Sequence, residues 1–85
     1  GNLHPNFVFA HDDPRAAELT ETVRNEIFAA AIALGGTVTA EHGIGLSRRE
    51  ALVDQVGPDV IDVMRSVKSA LDPLGVLNPG RVITG

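Results

Sequence analysis

Gly35-Gly36-Thr37-Val38-Thr39-Ala40-Glu41-His42-Gly43-Ile44-Gly45 is the stretch on which the fold reading turns. The paired glycines end whatever precedes them, because a helix C-terminus favours glycine just past its last turn. Thr37 to Ala40 is a short β-prone run. Upstream, Leu19, Val23, Ile27, Ala30, Ala31 and Leu34 recur at helical spacing, with Arg15, Glu18, Glu21, Thr22 and Asn25 on the outer side. Asp13-Pro14 supplies the start of that helix, Asp at N-cap and Pro at N1. Before it, residues 3–10 read as a strand, with Leu3, Phe7 and Phe9 on one face and His4, Asn6 and Val8 on the other. Pro5 donates no ladder hydrogen bond, so this strand belongs at an edge or begins irregularly. A strand, a long helix and a second strand make a right-handed β-α-β crossover.

Downstream of Gly45, Ser47-Arg48-Arg49-Glu50 has the form of a capping box. The helix it opens carries Leu52 and Val56 inward and stops near Gly57. Pro58 starts another helix with Val60, Met64, Val67 and Leu71 as its stripe, and Asp72-Pro73 ends it. Residues 74–85 form a turn-rich, then extended tail. The expected class is α+β, in the order strand, helix, strand, helix, helix, tail. Two short strands make no covered sheet by themselves, so partner strands are expected elsewhere.

The 85 residues bound the chain to one small domain. A chain of this length buries only roughly 60–65% of its unfolded surface, so the core is marginal. There is no Cys, which excludes disulfides, thiolate-bound zinc, iron–sulfur clusters and a Cys nucleophile. Seven basic residues stand against eleven acidic ones, with no aromatic among the basic positions, which argues against nucleic acid. No apolar run approaches the ~20 residues that cross a bilayer. A cytoplasmic location is the expectation.

Three residues stand out chemically. Glu41 and His42 immediately precede Gly43 and Gly45, glycines that let a backbone approach a ligand closely, so they suit a base with its orienting partner, or a metal ligand beside a proton acceptor. They equally suit a polar loop ahead of a helix, with Glu41 favourable near its N-terminus. His4 is the third; in a parallel β-α-β arrangement it lies near the start of its strand and Glu41 past the end of the other, so they meet only if the register or a bulge brings those ends together. His11 reads as solvated, Asn78-Pro79-Gly80 as a turn, and Arg48-Arg49 as a solvated first turn.

Gly1-Asn2-Leu3-His4, Gly35-Gly36 through Gly45, Lys68-Ser69-Ala70-Leu71-Asp72-Pro73 and Leu77-Asn78-Pro79-Gly80-Arg81 occur in that order. In this the chain resembles the C-terminal end of FAD-linked oxidases of the vanillyl-alcohol oxidase type, in the branch acting on glycolate, D-lactate and D-2-hydroxyglutarate. The resemblance implies a parent several times longer, whose N-terminal domain holds FAD and whose ferredoxin-like cap forms the substrate site. Residues 1–73 would then end the cap, and 74–85 would return to the FAD domain. The family motif His-x-Gly-Asp-Gly-Asn-Leu-His implies that the chain begins inside it.

By that resemblance His4 and Glu41 are ligands of a divalent metal, most often zinc, and His42 is the base that takes the hydroxyl proton of a 2-hydroxy acid. Asn6 contacts substrate, and Asn78, Gly80 and Arg81 lie at the cofactor. Two departures stand out: Pro5 matches the glycolate-oxidising type, and Arg81 replaces a usual Lys, which hydrogen-bonds differently. The expected function is therefore part of an FAD-dependent 2-hydroxy-acid dehydrogenase, inactive alone. Its expected partners are the substrate and the parent's FAD domain, with oligomerisation and peripheral membrane attachment through other subunits left open. Two alternatives remain. One is an interaction module. The other is a compact metal-dependent hydrolase, which would need His11 or His42 as a third ligand.

Overall fold

A computed structural model describes residues 1–83; Thr84 and Gly85, the end of the expected tail, lie outside the described residues. Three helices carry the architecture: α1 (Ala16–Ala33), α2 (Arg49–Val56) and α3 (Pro58–Leu71). α1 packs against α2 and α2 against α3, while α1 and α3 do not meet. The radius of gyration is 15.3 Å, whereas a compact chain of this length would have about 12 Å. The buried apolar side chains are Val38, Leu52 and Ile61, one each from the loop before Glu41, from α2 and from α3.

The expected α+β order, with strands at 3–10 and 37–40 in a ferredoxin-like cap, is overturned. The described residues contain no strand and no sheet. The reason lies in the hydrogen bonds. Residues 3–9 make no backbone–backbone hydrogen bond among the described residues, and an extended run without a ladder partner is not a strand. In the 37–40 run, Val38 N–H donates to Gln55 Oε1 at 2.9 Å and Thr39 N–H to Thr37 Oγ1 at 3.1 Å. Side chains take the donors that a sheet would have used.

The helix signals fared better. Asp13 Oδ1 accepts the Arg15 N–H at 2.8 Å, as an N-cap carboxylate does, although the regular helix begins at Ala16. Pro58 occupies the first turn of α3. The capping box at Ser47 is not formed: Arg48 is the N-cap of α2, with no side-chain cap hydrogen bond.

Two helices turn differently from their expected stripes. α3 buries Ile61, with Met64, Arg65 and Lys68 half-buried, and leaves Val60, Val63, Val67 and Leu71 exposed. On α1, Phe28, Ala31 and Ile32 are half-buried while Leu34 is 88% exposed. A helix apolar on most of its circumference offers more than one face for packing, and periodicity alone does not choose.

Candidate functional site

The turn from Thr37 to Gly45 is fastened at both ends. Val38 is buried and tied to Gln55 on α2. At the other end, the Val82 N–H from the tail donates to Gly45 O at 2.7 Å. Gly43 and Gly45 have φ of +77° and +55°. A Cβ at either would meet nothing within 4 Å, so glycine is needed there for its left-handed backbone and not for space. Thr39 Oγ1 accepts the Gly43 N–H at 2.9 Å, and Arg48 Nη1 donates to Gly43 O at 3.1 Å and Thr39 Oγ1 at 3.3 Å.

This turn presents Glu41 and His42, and His4 from the N-terminal segment meets them. His4 Nδ1 and His42 Nε2 each lie 3.7 Å from the same Glu41 oxygen, Oε1. The two imidazoles stand edge to face, 5.1 Å between centroids. One donor atom from each residue lies within 4.8 Å of the others. All three side chains are more than half exposed. The meeting of His4 with Glu41, which a parallel strand register permits only through a shift or a bulge, occurs here with residues 3–9 free of any ladder.

The imidazole nitrogen of His4 and the carboxylate oxygen of Glu41 are donor types that zinc takes. Donors around tetrahedral zinc sit roughly 3.4 Å apart, given metal–ligand distances of about 2.0–2.1 Å. Exposed side chains 3.7 Å apart reach that spacing by small rotations, so the residues fit a divalent ion. FAD does not fit. A groove beside Arg49, Val53, Ile61 and Val82 encloses about 190 Å³, below the ~300–1,000 Å³ of ligand pockets. The wider groove between α1 and α2 carries Glu50 and Asp54 and no cation, which would repel a diphosphate.

The other expected site residues stay apart from the cluster. Asn6 is exposed, two residues from His4, and no hydrogen bond involves it among the described residues. His11 lies in an exposed turn. Asn78, Gly80 and Arg81 are exposed in the tail, where Asn78 and Gly80 have positive φ and Gly80 O accepts from Arg49 Nη1 at 3.0 Å.

One structured element went unread in the sequence. Asp72 is 7% exposed. Its carboxylate accepts the Lys68 ammonium and the N–H groups of Leu77 and Val76 at 2.9 and 3.1 Å. Lys68 Nζ also donates to Leu77 O at 2.6 Å. The Lys68 hydrogen bond, then that of Leu77, holds the Asp72 carboxyl below its ordinary range, against burial, which pushes it up. The i, i+4 spacing of Lys68 and Asp72 was the available signal.

The profile of the FAD linked oxidases, C-terminal domain, matches residues 1–82. The chain belongs to that family. The FAD-linked oxidase domain is 40% identical over 82 residues to glycolate oxidase subunit GlcD of Bacillus subtilis, covering 96% of this chain and 17% of that protein. It is 39% identical over 83 residues to a probable mitochondrial D-lactate dehydrogenase of Danio rerio, covering 98% of this chain and 17% of that protein. A mitochondrial D-lactate dehydrogenase (cytochrome) of Kluyveromyces lactis is 38% identical over 82 residues, which is 96% of this chain and 14% of that protein. The FAD-linked oxidase domain thus spans about a sixth of the length of the curated relatives it matches. Among the described residues no helix is long and apolar enough to cross a membrane.

Proposed function

We propose that this chain is the C-terminal part of an FAD-dependent oxidoreductase that dehydrogenates a small 2-hydroxy acid, and that His4, Glu41 and His42 are its contribution to the active site. The observation that carries the reading is the convergence of both imidazoles on one oxygen of Glu41. The relatives, one named for glycolate and two for D-lactate, supply the substrate class.

His42 accepts the hydroxyl proton on a ring nitrogen, a task suited to imidazole near neutral pH. Glu41 orients the two rings and stabilises a protonated one. His4 and Glu41 would hold a divalent ion, their donor types suiting zinc. An ion bound there would supply Lewis-acid polarisation of the substrate's hydroxyl and carboxylate oxygens. FAD would be held by the remainder of the parent and would supply the two-electron oxidation. Asn6 reaches the substrate from the His4 segment, and Asn78, Gly80 and Arg81 face the flavin domain. The compact-hydrolase alternative finds its third donor in His42, but the family match over residues 1–82 favours the oxidoreductase.

The test uses the full-length gene product. Purified protein should carry FAD, and anaerobic addition of glycolate or D-lactate should bleach the oxidised flavin band. His42→Ala should retain the flavin and lose the bleaching. A flavin-containing protein that no 2-hydroxy acid reduces would refute the substrate class.

A further inference from the structure

We propose that Thr39 and Arg48 are positioning residues that fix the Glu41-His42 turn by clamping Gly43, the residue next to His42. The proposal rests on the reading of Glu41 and His42 as active-site groups. The clamp has two jaws. Thr39 Oγ1 accepts the Gly43 N–H at 2.9 Å, closing the turn over Ala40, Glu41 and His42. Arg48 Nη1 donates to Gly43 O at 3.1 Å, so both backbone polar groups of Gly43 are held. The same nitrogen donates to Thr39 Oγ1 at 3.3 Å, tying the jaws together.

The clamp is anchored away from the site. The Arg48 guanidinium carbon lies 5.7 Å from the ring centroid of Phe28 on α1, within cation–π range. Arg48 is also the N-cap residue of α2. Behind Thr39, its N–H donates to Thr37 Oγ1 and Val38 is buried and tied to Gln55. The turn therefore takes its position from α1 and α2 together. That matters because the side chains of Glu41 and His42 are themselves more than half exposed. Their placement comes from the backbone, and Gly43 is where the backbone is gripped. A displacement near 1 Å can cost up to roughly 10²-fold in rate.

The experiment compares Thr39→Val, Thr39→Ser and Arg48→Lys in the full-length enzyme. Valine keeps the shape of threonine without the hydroxyl; serine keeps the hydroxyl. Lysine keeps the charge but is one bond shorter and lacks the planar group that lies on Phe28. Thr39→Val and Arg48→Lys should each lower kcat roughly tenfold with KM and FAD content little changed, and Thr39→Ser should restore turnover. Independently of turnover, deuterium exchange in the segment 40–46 should quicken roughly fivefold in Thr39→Val, the scale of one lost hydrogen bond, and return with Thr39→Ser. Unchanged exchange and turnover in Thr39→Val overturn the proposal, as do equal losses in the valine and serine variants. If the wild-type enzyme oxidises no 2-hydroxy acid, the functional reading fails while the exchange data still decide the clamp.

Discussion

Replacing Glu41 by Gln separates a functional carboxylate from a structural one. Were an imidazole protonated, its pairing with Glu41 at 3.7 Å would be worth about 1 kcal/mol in water, and less when neutral. The side chains of His4, Glu41 and His42 are 61%, 63% and 54% exposed, so each pair falls in the range of about 0–1 kcal/mol found for surface pairs. Gln keeps the shape and removes the charge. Folding stability should therefore change by less than about 1 kcal/mol. The functional cost should be larger. A carboxylate that orients an imidazole or holds a metal typically contributes roughly 10–100-fold. That corresponds to about 1.4–2.7 kcal/mol of transition-state stabilisation. The assay pairs thermal melting with kcat/KM on the full-length enzyme, and adds divalent metal analysis after dialysis. Expected are an unchanged melt, a kcat/KM loss of at least roughly tenfold, and loss of any bound metal. A variant that melts early yet turns over normally would refute the reasoning, because Glu41 would then be structural.

The remaining predictions touch the base, the core, the C-terminal cap of α3 and the cofactor. His42→Ala should lower kcat by roughly 10²–10⁴ with FAD retained; near-normal turnover would remove it from the proton transfer. Ile61→Ala deletes one of the buried apolar side chains. Because Ile61 already borders a groove, the cost should fall near the low end for such truncations, roughly 2–3 kcal/mol by denaturant unfolding. Asp72 has a lowered pKa, so its stabilisation is present above 3.8, the unfolded value, and is lost as pH falls through the lower folded value. Asp72→Asn should weaken amide protection at Val76 and Leu77 at neutral pH, and the difference from wild type should shrink under strong acid. The 85 residues alone should bind FAD no tighter than about millimolar, and flavin quenching at micromolar protein would contradict this.

What the sequence made legible was local. Asp13-Pro14, Gly35-Gly36, Gly57-Pro58 and Asp72-Pro73 punctuate the chain with signals that act within one turn, and the helices fall between them. The strands were misread because a strand is defined by a partner. Val8 and Phe9 alternate correctly but pair with nothing among the described residues, and Val38 gives its N–H to Gln55. The facing of α3 failed for a related reason. Ile61 and Val60 are neighbours of similar hydropathy, and only the packing against α2 decides between them. In the site, the adjacency of Glu41 and His42 was plain, while the arrival of His4 depended on the absence of a ladder that had been expected. Arg48 looked like a solvated first turn because its partner atoms, the Gly43 carbonyl and Thr39 hydroxyl, leave no mark in a charge pattern.

The outward row of Val60, Val63, Val67 and Leu71 has a practical corollary for anyone handling these 85 residues by themselves. A contiguous apolar ridge in water is a site of self-adhesion. The polypeptide should sediment as larger particles when concentrated and when sulfate is added, since excluded salts strengthen the release of apolar surface from water. Titrations on it would then count ridge-to-ridge encounters together with ligand. A charged substitution at Val63, the midpoint of the ridge, should make the same preparation disperse without touching the Glu41-His42 turn.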